Sequence, residues 1–281
     1  MKIKKTVALL GTVVLLLIML APIYIVVVCS FMNSDEIKIS FGGVLRKSIG
    51  YANVPVMPYY FSINNYKELL LQTAEFFVMF WNSVIQVLCI VLGQILIGVP
   101  AAWSFAKWKI TWTRYLFGFY IILMLIPFQV SMVPEYLTLS NMGLLDTQLS
   151  VILPGMFATF PIFIMTRFFS AVPDELMEAA RLDGANEFLV FFRIGLPLGK
   201  QGIGAAVILS FIEYWNAIEA PMTFLRQRSK WPVSLYLPNI TTENAGISLA
   251  ASAIILIPTL LVFLVGHDLM EEGIANTGLK G

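Results

Sequence analysis

The sequence predicts an all-α polytopic membrane protein with six transmembrane helices and a cytoplasmic helix-turn-helix. Three observations predict it. Of 281 residues, 58% are hydrophobic and only 12% are charged, too little charge to cover the surface of a water-soluble domain of that length. Six segments reach the about 20 predominantly apolar residues that a hydrocarbon core of about 30 Å requires of a helix. They are Thr6 to Phe31, Phe77 to Ala106, Tyr115 to Pro134, Leu149 to Thr166, Gly202 to Pro221 and Leu249 to Gly266. One stretch, Glu178 to Pro197, reads EAARLDGANEFLVFFRIGLP and gathers three acids and two arginines where charge is otherwise sparse.

The first segment follows the basic start MKIKK. Its apolar run exceeds the roughly 7 to 15 residues of a cleavable signal and carries no A-x-A site, so it reads as an uncleaved first span. Cys29 does not suit a lipoprotein acceptor, because Val28 before it is not small and the N-terminus is far away. Cys29 and Cys89 both lie in apolar runs and read as inert packing without a disulfide. Met32 to Glu75, with Gly42-Gly43, Pro55, Pro58 and the aromatic Tyr59-Tyr60-Phe61, is too polar to span and reads as an external loop. Met222 to Ser248 reads as a second one. Its Asn239-Ile240-Thr241 matches a glycosylation sequon of chance frequency.

An even number of spans returns both termini to one side. With the N-terminus cytoplasmic, that side holds Lys2, Lys4, Lys5, Lys107, Lys109, Arg114, Arg167, Arg181, Arg193, Lys200 and Lys280, the larger share of the basic residues. Arg226, Arg228 and Lys230 oppose this locally. The chain thus divides into 1–76, the first helix and external loop; 77–266, the transmembrane core with a cytoplasmic loop over 167–200; and 267–281, a cytoplasmic tail.

Within the loop, Pro173 and Asp174 suit a helix start, where proline is tolerated and an acid complements the dipole. Glu175 to Leu182 are good helix formers. Gly184 takes the left-handed conformation that stops a helix. A second helical stretch from Asn186 is expected to end before Pro197, which has no N–H to continue it.

In the fifth span Glu213, Asn216 and Glu219 recur every three residues, within one stripe of a continuous helix. A charge at mid-bilayer costs about 2.5 to 3.5 kcal/mol on insertion scales, so these groups should face protein or a watery path. Glu213 and Asn216 then line a translocation pathway, with Trp215 offering a flat face to a sugar ring. Equally open is packing of Asn216 and Trp215 against neighbouring helices, with Glu219 wet at the interface. Gly202, Ala206 and Ser210 form a small-residue ladder for close helix approach. Gln94 and Gln129 read as interhelical hydrogen-bonding groups.

Several function classes drop out. A net charge of +1 gives no footprint for nucleic acid, and the single histidine, His267, rules out a His-rich metal centre. No G-x-x-x-x-G-K-[ST] phosphate loop is present. No Ser-His-Asp or Cys-His set is available, so the chain is expected not to be an enzyme and to carry no cofactor.

Glu178-Ala179-Ala180, Gly184, and Ile194-Gly195-Leu196-Pro197 are spaced as in the EAA loop of permease subunits of bacterial ATP-binding-cassette importers, and the chain resembles that family. Phe168-Phe169, Pro173, Glu175, Leu176 and Asp183-Gly184-Ala185 resemble its carbohydrate-uptake, maltose-type branch. So do Pro127, Gln129, Pro134 and Gly143-Leu144, then Phe211-Ile212, Trp215-Asn216, Pro221 and Leu225, and the tail GIANTGLKG. Two positions depart. Gln201 replaces a usual proline, and His267-Asp268 stands where Gln-Arg is common.

The resemblance implies an inner-membrane, binding-protein-dependent transport component. A second homologous permease, a dimeric cytoplasmic ATPase carrying ATP and Mg, and an external solute-binding protein are its implied partners, and a sugar its implied solute. It further implies that Glu178, Ala179, Ala180, Leu182, Asp183, Gly184, Ile194, Leu196 and Pro197 form the ATPase-coupling site, and that alternating access is the mechanism. The competing reading is a secondary transporter driven by an ion gradient through Glu213 and Glu219; an intramembrane enzyme lacks a nucleophile and base.

Overall fold

A computed structural model describes residues 2–45, 51–108, 110–236 and 244–278, with side chains from 5, 6 and 9 to 267. The sequon at Asn239 and most of the tail's side chains lie outside the described residues. Fourteen α-helices follow one another among the described residues: α1 Lys2–Ser30, α2 Ser34–Leu45, α3 Asn64–Gln72, α4 Ala74–Gly93, α5 Val99–Lys107, α6 Thr111–Met124, α7 Phe128–Asn141, α8 Leu149–Met156, α9 Thr159–Ser170, α10 Asp174–Leu182, α11 Glu187–Val190, α12 Leu196–Trp215, α13 Glu219–Phe224 and α14 Ala245–Gly278. Five-residue π turns, Gln94–Gly98 and Phe191–Gly195, join α4 to α5 and α11 to α12. No strand occurs among the described residues, only an isolated bridge between Met32 and Phe61.

Among the described residues, five helical stretches are long and apolar enough to cross a membrane: Leu9–Ser30, Ala74–Lys107, Leu149–Ser170, Glu187–Trp215 and Ala245–His267. The sixth expected span is not one straight helix. α6 and α7 meet at 103°, because Pro127 sits in extended backbone with φ −67° and ψ 148° and has no N–H to carry the helix on.

Two further boundaries differ from expectation. The helix from Glu187 does not stop before Pro197 but runs through it to Trp215. Pro197 stands in the first turn of α12, directly after the π turn, whose local geometry accommodates the missing donor without ending the helix. The fifth span ends at Trp215 rather than Pro221. Asn216 turns its side-chain amide back to the Ile212 carbonyl at 2.8 Å, the local competition that ends helices at Asn. Pro221 has no hydrogen for the Ala217 carbonyl, and the Ser234 hydroxyl donates to that carbonyl instead, at 2.6 Å.

The chain forms two compact units, Met1–Val78 with Tyr236–Pro258, and Met79–Leu235 with Thr259–Gly281. In the first, the expected external loop is folded. Cys29, Met32, Ile37 and Ala245 make a small core, and the Glu36 carboxylate accepts from the Tyr59 amide at 2.8 Å. Asn65 donates to the Met32 carbonyl at 2.8 Å. The second unit is built on Val99, Ala102, Trp103, Ile162, Met165, Phe169, Met177, Val190 and Ala206. Trp103 stands edge-on to Phe169 at 5.4 Å. The small-residue ladder is a packing device: a Cβ on Gly202 would lie 2.4 Å from Phe168, and Ala206 and Ser210 are buried.

Candidate functional site

Residues 173 to 197 turn a corner between two helices. Pro173, extended at φ −60° and ψ 135°, caps α10, and Asp174 and Glu175 occupy its first turn. At the other end the Gly184 amide donates to the Arg181 carbonyl at 3.0 Å and the Ala185 amide to the Ala180 carbonyl at 2.9 Å. That pair of bonds is a Schellman motif, and Gly184 at φ +86° supplies the left-handed residue it needs. The Asn186 side chain then caps α11, accepting from the Leu189 amide at 2.9 Å.

α10 buries one face and bares the other. Met177 is buried and Ala180 packs on the same core, one helical turn apart. Glu178, Ala179, Leu182 and Asp183 are exposed, Leu182 by 89%. Of the two alanines, only Ala179 therefore remains on the free face; Ala180 lets α10 lie close on its own chain. Leu196 also packs inward and Ile194 is half-buried, while Pro197 is exposed. Gly195 is a packing position, since a Cβ there would lie 2.7 Å from the Trp103 ring.

Both ends of α10 are fastened. Lys107, the last residue of α5, donates to the Val172 carbonyl and pairs with Asp174 at 3.0 Å, its own side chain only 4% exposed. Arg181 forks onto Glu187 at 2.7 and 3.2 Å across the turn, in the open. The Glu187 hydrogen bond is the main influence that raises the Arg181 pKa above its ordinary value.

The polar residues of the fifth span are separated by its break. Glu213 and Glu219 line a cleft of about 310 Å³, together with Glu135, Ser150, Tyr214 and Phe224. Asn216 is exposed, with its amide spent on Ile212. Trp215 is 1% exposed, stacked on Phe211 at 5.6 Å and edge-on to Phe80 at 5.6 Å, so its ring is taken up by packing. Gln129 donates to Glu219 at 2.7 Å, and Gln94 to the Gly155 carbonyl at 2.8 Å. Both glutamines thus bond between helices, as read from sequence. Glu135, one residue after Pro134, was not among the sequence candidates. It stands one residue beyond the end of the expected third span, where hydropathy gives an acid no insertion cost, and only the break at Pro127 brings it to the cleft. Among the described residues no group of His, Cys, Asp and Glu is placed to hold a metal ion.

This architecture has relatives. The chain is 26% identical over 268 residues to the arabinooligosaccharides transport system permease protein AraQ of Bacillus subtilis, covering 94% of this chain and 92% of that one. It is 29% identical to the sn-glycerol-3-phosphate transport system permease protein UgpE of Brucella abortus, with 76% and 75% covered. A chain of a bacterial ABC transporter involved in the import of the acidic polysaccharide alginate shares its fold at TM-score 0.78 and 22% identity, with 95% and 96% covered. These relatives are transport proteins, in accord with a chain that is not an enzyme. Residues 94–275 match the model of the binding-protein-dependent transport system inner membrane component, and the chain belongs to that family.

Proposed function

We propose that the chain is the permease subunit of an ATP-driven importer for a sugar or oligosaccharide. It pairs with a second homologous permease in a bacterial inner membrane, with both termini cytoplasmic. A solute-binding protein delivers the solute outside, and a dimeric ATPase binding ATP and Mg drives alternating access from inside. The observation that carries the reading is α10. Its exposed face presents Glu178, Ala179 and Leu182 as a helix ready for a groove, while its ends are tied to two different long helices. Glu178 offers an Arg or Lys of the ATPase a charge-assisted bond.

The cleft supports the solute class. Its lining holds three carboxyl groups and no Lys, Arg or His, so it offers an anion no positive partner while its oxygens accept bonds from hydroxyl groups. Among the solutes named for relatives, a neutral oligosaccharide suits it better than a glycerol phosphate.

The test is uptake in vesicles with the partner subunits. Glu178→Ala should weaken ATPase association about tenfold, the equivalent of one charge-assisted bond of about 1.4 kcal/mol. Gly184→Pro removes a bonded amide at positive φ and should abolish coupling while membrane insertion continues. Uptake that runs on an ion gradient without ATP would instead favour a secondary transporter using Glu213 and Glu219.

A further inference from the structure

We infer that Lys107 is a positioning residue for energy coupling: it fastens the start of α10 to the helix Ala74–Lys107, so that a push on α10 moves that helix as one body. The inference rests on the proposed ATPase docking at α10. Lys107 is one of the basic residues that orient the chain in the membrane, and a residue serving only that purpose would be wet. Instead its side chain is 4% exposed, with its ammonium set between the Asp174 carboxylate at 3.0 Å and the Val172 carbonyl. Lys107 is the C-terminal residue of α5 and Asp174 the N-terminal residue of α10. Each charge therefore stands at the helix end whose dipole favours it.

Position in the chain gives this contact its mechanical meaning. Within α10, Met177 and Ala180 rest on the core through apolar contacts, which resist separation more than sliding. A directional bond at the helix start resists sliding as well. Trp103, one turn before Lys107, packs edge-on to Phe169 and tilted on Phe191. A shift of Lys107 along its helix axis is therefore passed into the packed interior of the unit rather than lost in a free end.

The measurement is solute taken up per ATP hydrolysed by the whole importer in proteoliposomes. Lys107→Met keeps the length and apolar stem and removes the charge. Its complex should still co-purify with the ATPase and hydrolyse ATP, while the uptake ratio falls about tenfold. Lys107→Arg should restore most of the ratio, a rescue that a purely packing role would not show. An unchanged ratio in an assembled Lys107→Met complex overturns the inference, and so does failure of Lys107→Arg to exceed Lys107→Met. Should Lys107→Met not reach the membrane, Asp174→Asn is read in its place. Its amide oxygen still accepts from Lys107, so the expected loss is about threefold, and an unchanged ratio is again fatal. A native importer whose uptake ignores ATP, or that holds no ATPase, would instead overturn the docking on which the inference stands.

Discussion

Two helices of this chain carry the same π-turn device and are fastened to α10 by different ones. In Ala74–Lys107 and in Glu187–Trp215 a five-residue π turn ends in glycine, Gly98 or Gly195, and a proline follows two residues later, Pro100 or Pro197. The prolyl nitrogen donates nothing, so the carbonyl four residues earlier, Leu96 or Arg193, is released from its normal helical bond, and local π geometry re-satisfies the backbone without ending the helix. The fasteners differ in wetness. Lys107 and Asp174 meet with side chains 4% and 37% exposed, whereas Arg181 and Glu187 meet at 44% and 58%. Similar sequence devices therefore yield one helix held firmly to α10 and one held loosely, and the burial of Lys107 is the main difference between the two fasteners.

The largest expected effect tests that difference directly. Asp174→Ala leaves the Lys107 ammonium with the Val172 carbonyl alone and should cost about 2 kcal/mol of stability. Arg181→Ala removes an exposed pair and should cost less than about 1 kcal/mol. Thermal unfolding of the two purified variants in detergent reads both. Equal shifts would mean that burial does not separate the two fasteners.

A second contrast sharpens the comparison at the π turns. A Cβ on Gly195 would lie 2.7 Å from the rigid Trp103 ring, while one on Gly98 would lie 3.1 Å from the end of the flexible Met165 side chain and 3.2 Å from Ile162. Gly195→Ala should therefore destabilise by about 1 to 3 kcal/mol through overpacking. Gly98→Ala should cost less, because Met165 yields, Ile162 has to give by only a few tenths of an ångström, and alanine gains about 1 kcal/mol in helix propensity. The same melting assay separates them, and a larger loss at Gly98 would break the distinction.

These contrasts also mark where the sequence was readable. The bounds of α10 were legible almost to the residue, because proline, first-turn acids and a helix-ending glycine act through local backbone chemistry. The apolar runs were legible too, since span length is set by the bilayer. The breaks at Pro127 and Asn216 were not. Pro127 read as part of an unbroken span and Asn216 as one member of a helical stripe, because hydropathy is blind to a turn that keeps every residue apolar or polar as before. The burial of Trp215 was equally hidden. Its partners Phe80 and Phe211 are identified by tertiary packing, and nothing at position 215 distinguishes a ring in the core from one facing a path. Lys107 was read by its charge alone, since its partner lies 67 residues away.

The smallest expected effect extends the comparison to a carboxylate held chiefly by backbone amides. Asp146, at φ +56°, accepts from the amides of Gln227 and Arg226 at 3.0 and 2.9 Å and pairs with Lys230 at 3.1 Å. The Gln227 amide is the leading cause that lowers its pKa below the ordinary 3.8. A depressed carboxylate contributes stability that is complete above its unfolded pKa and fades as pH falls through the folded value. Asp146→Asn keeps a residue that tolerates positive φ, so it isolates the charge. The variant should melt slightly below the native protein at about pH 6, and the gap should close as pH falls toward about 3. Because the groups that hold this carboxylate sit on a loop outside the long helices, the gap should persist in the Asp174→Ala background. Its disappearance there would mean that loosening α10 is felt across the unit, and that the fasteners do not act independently.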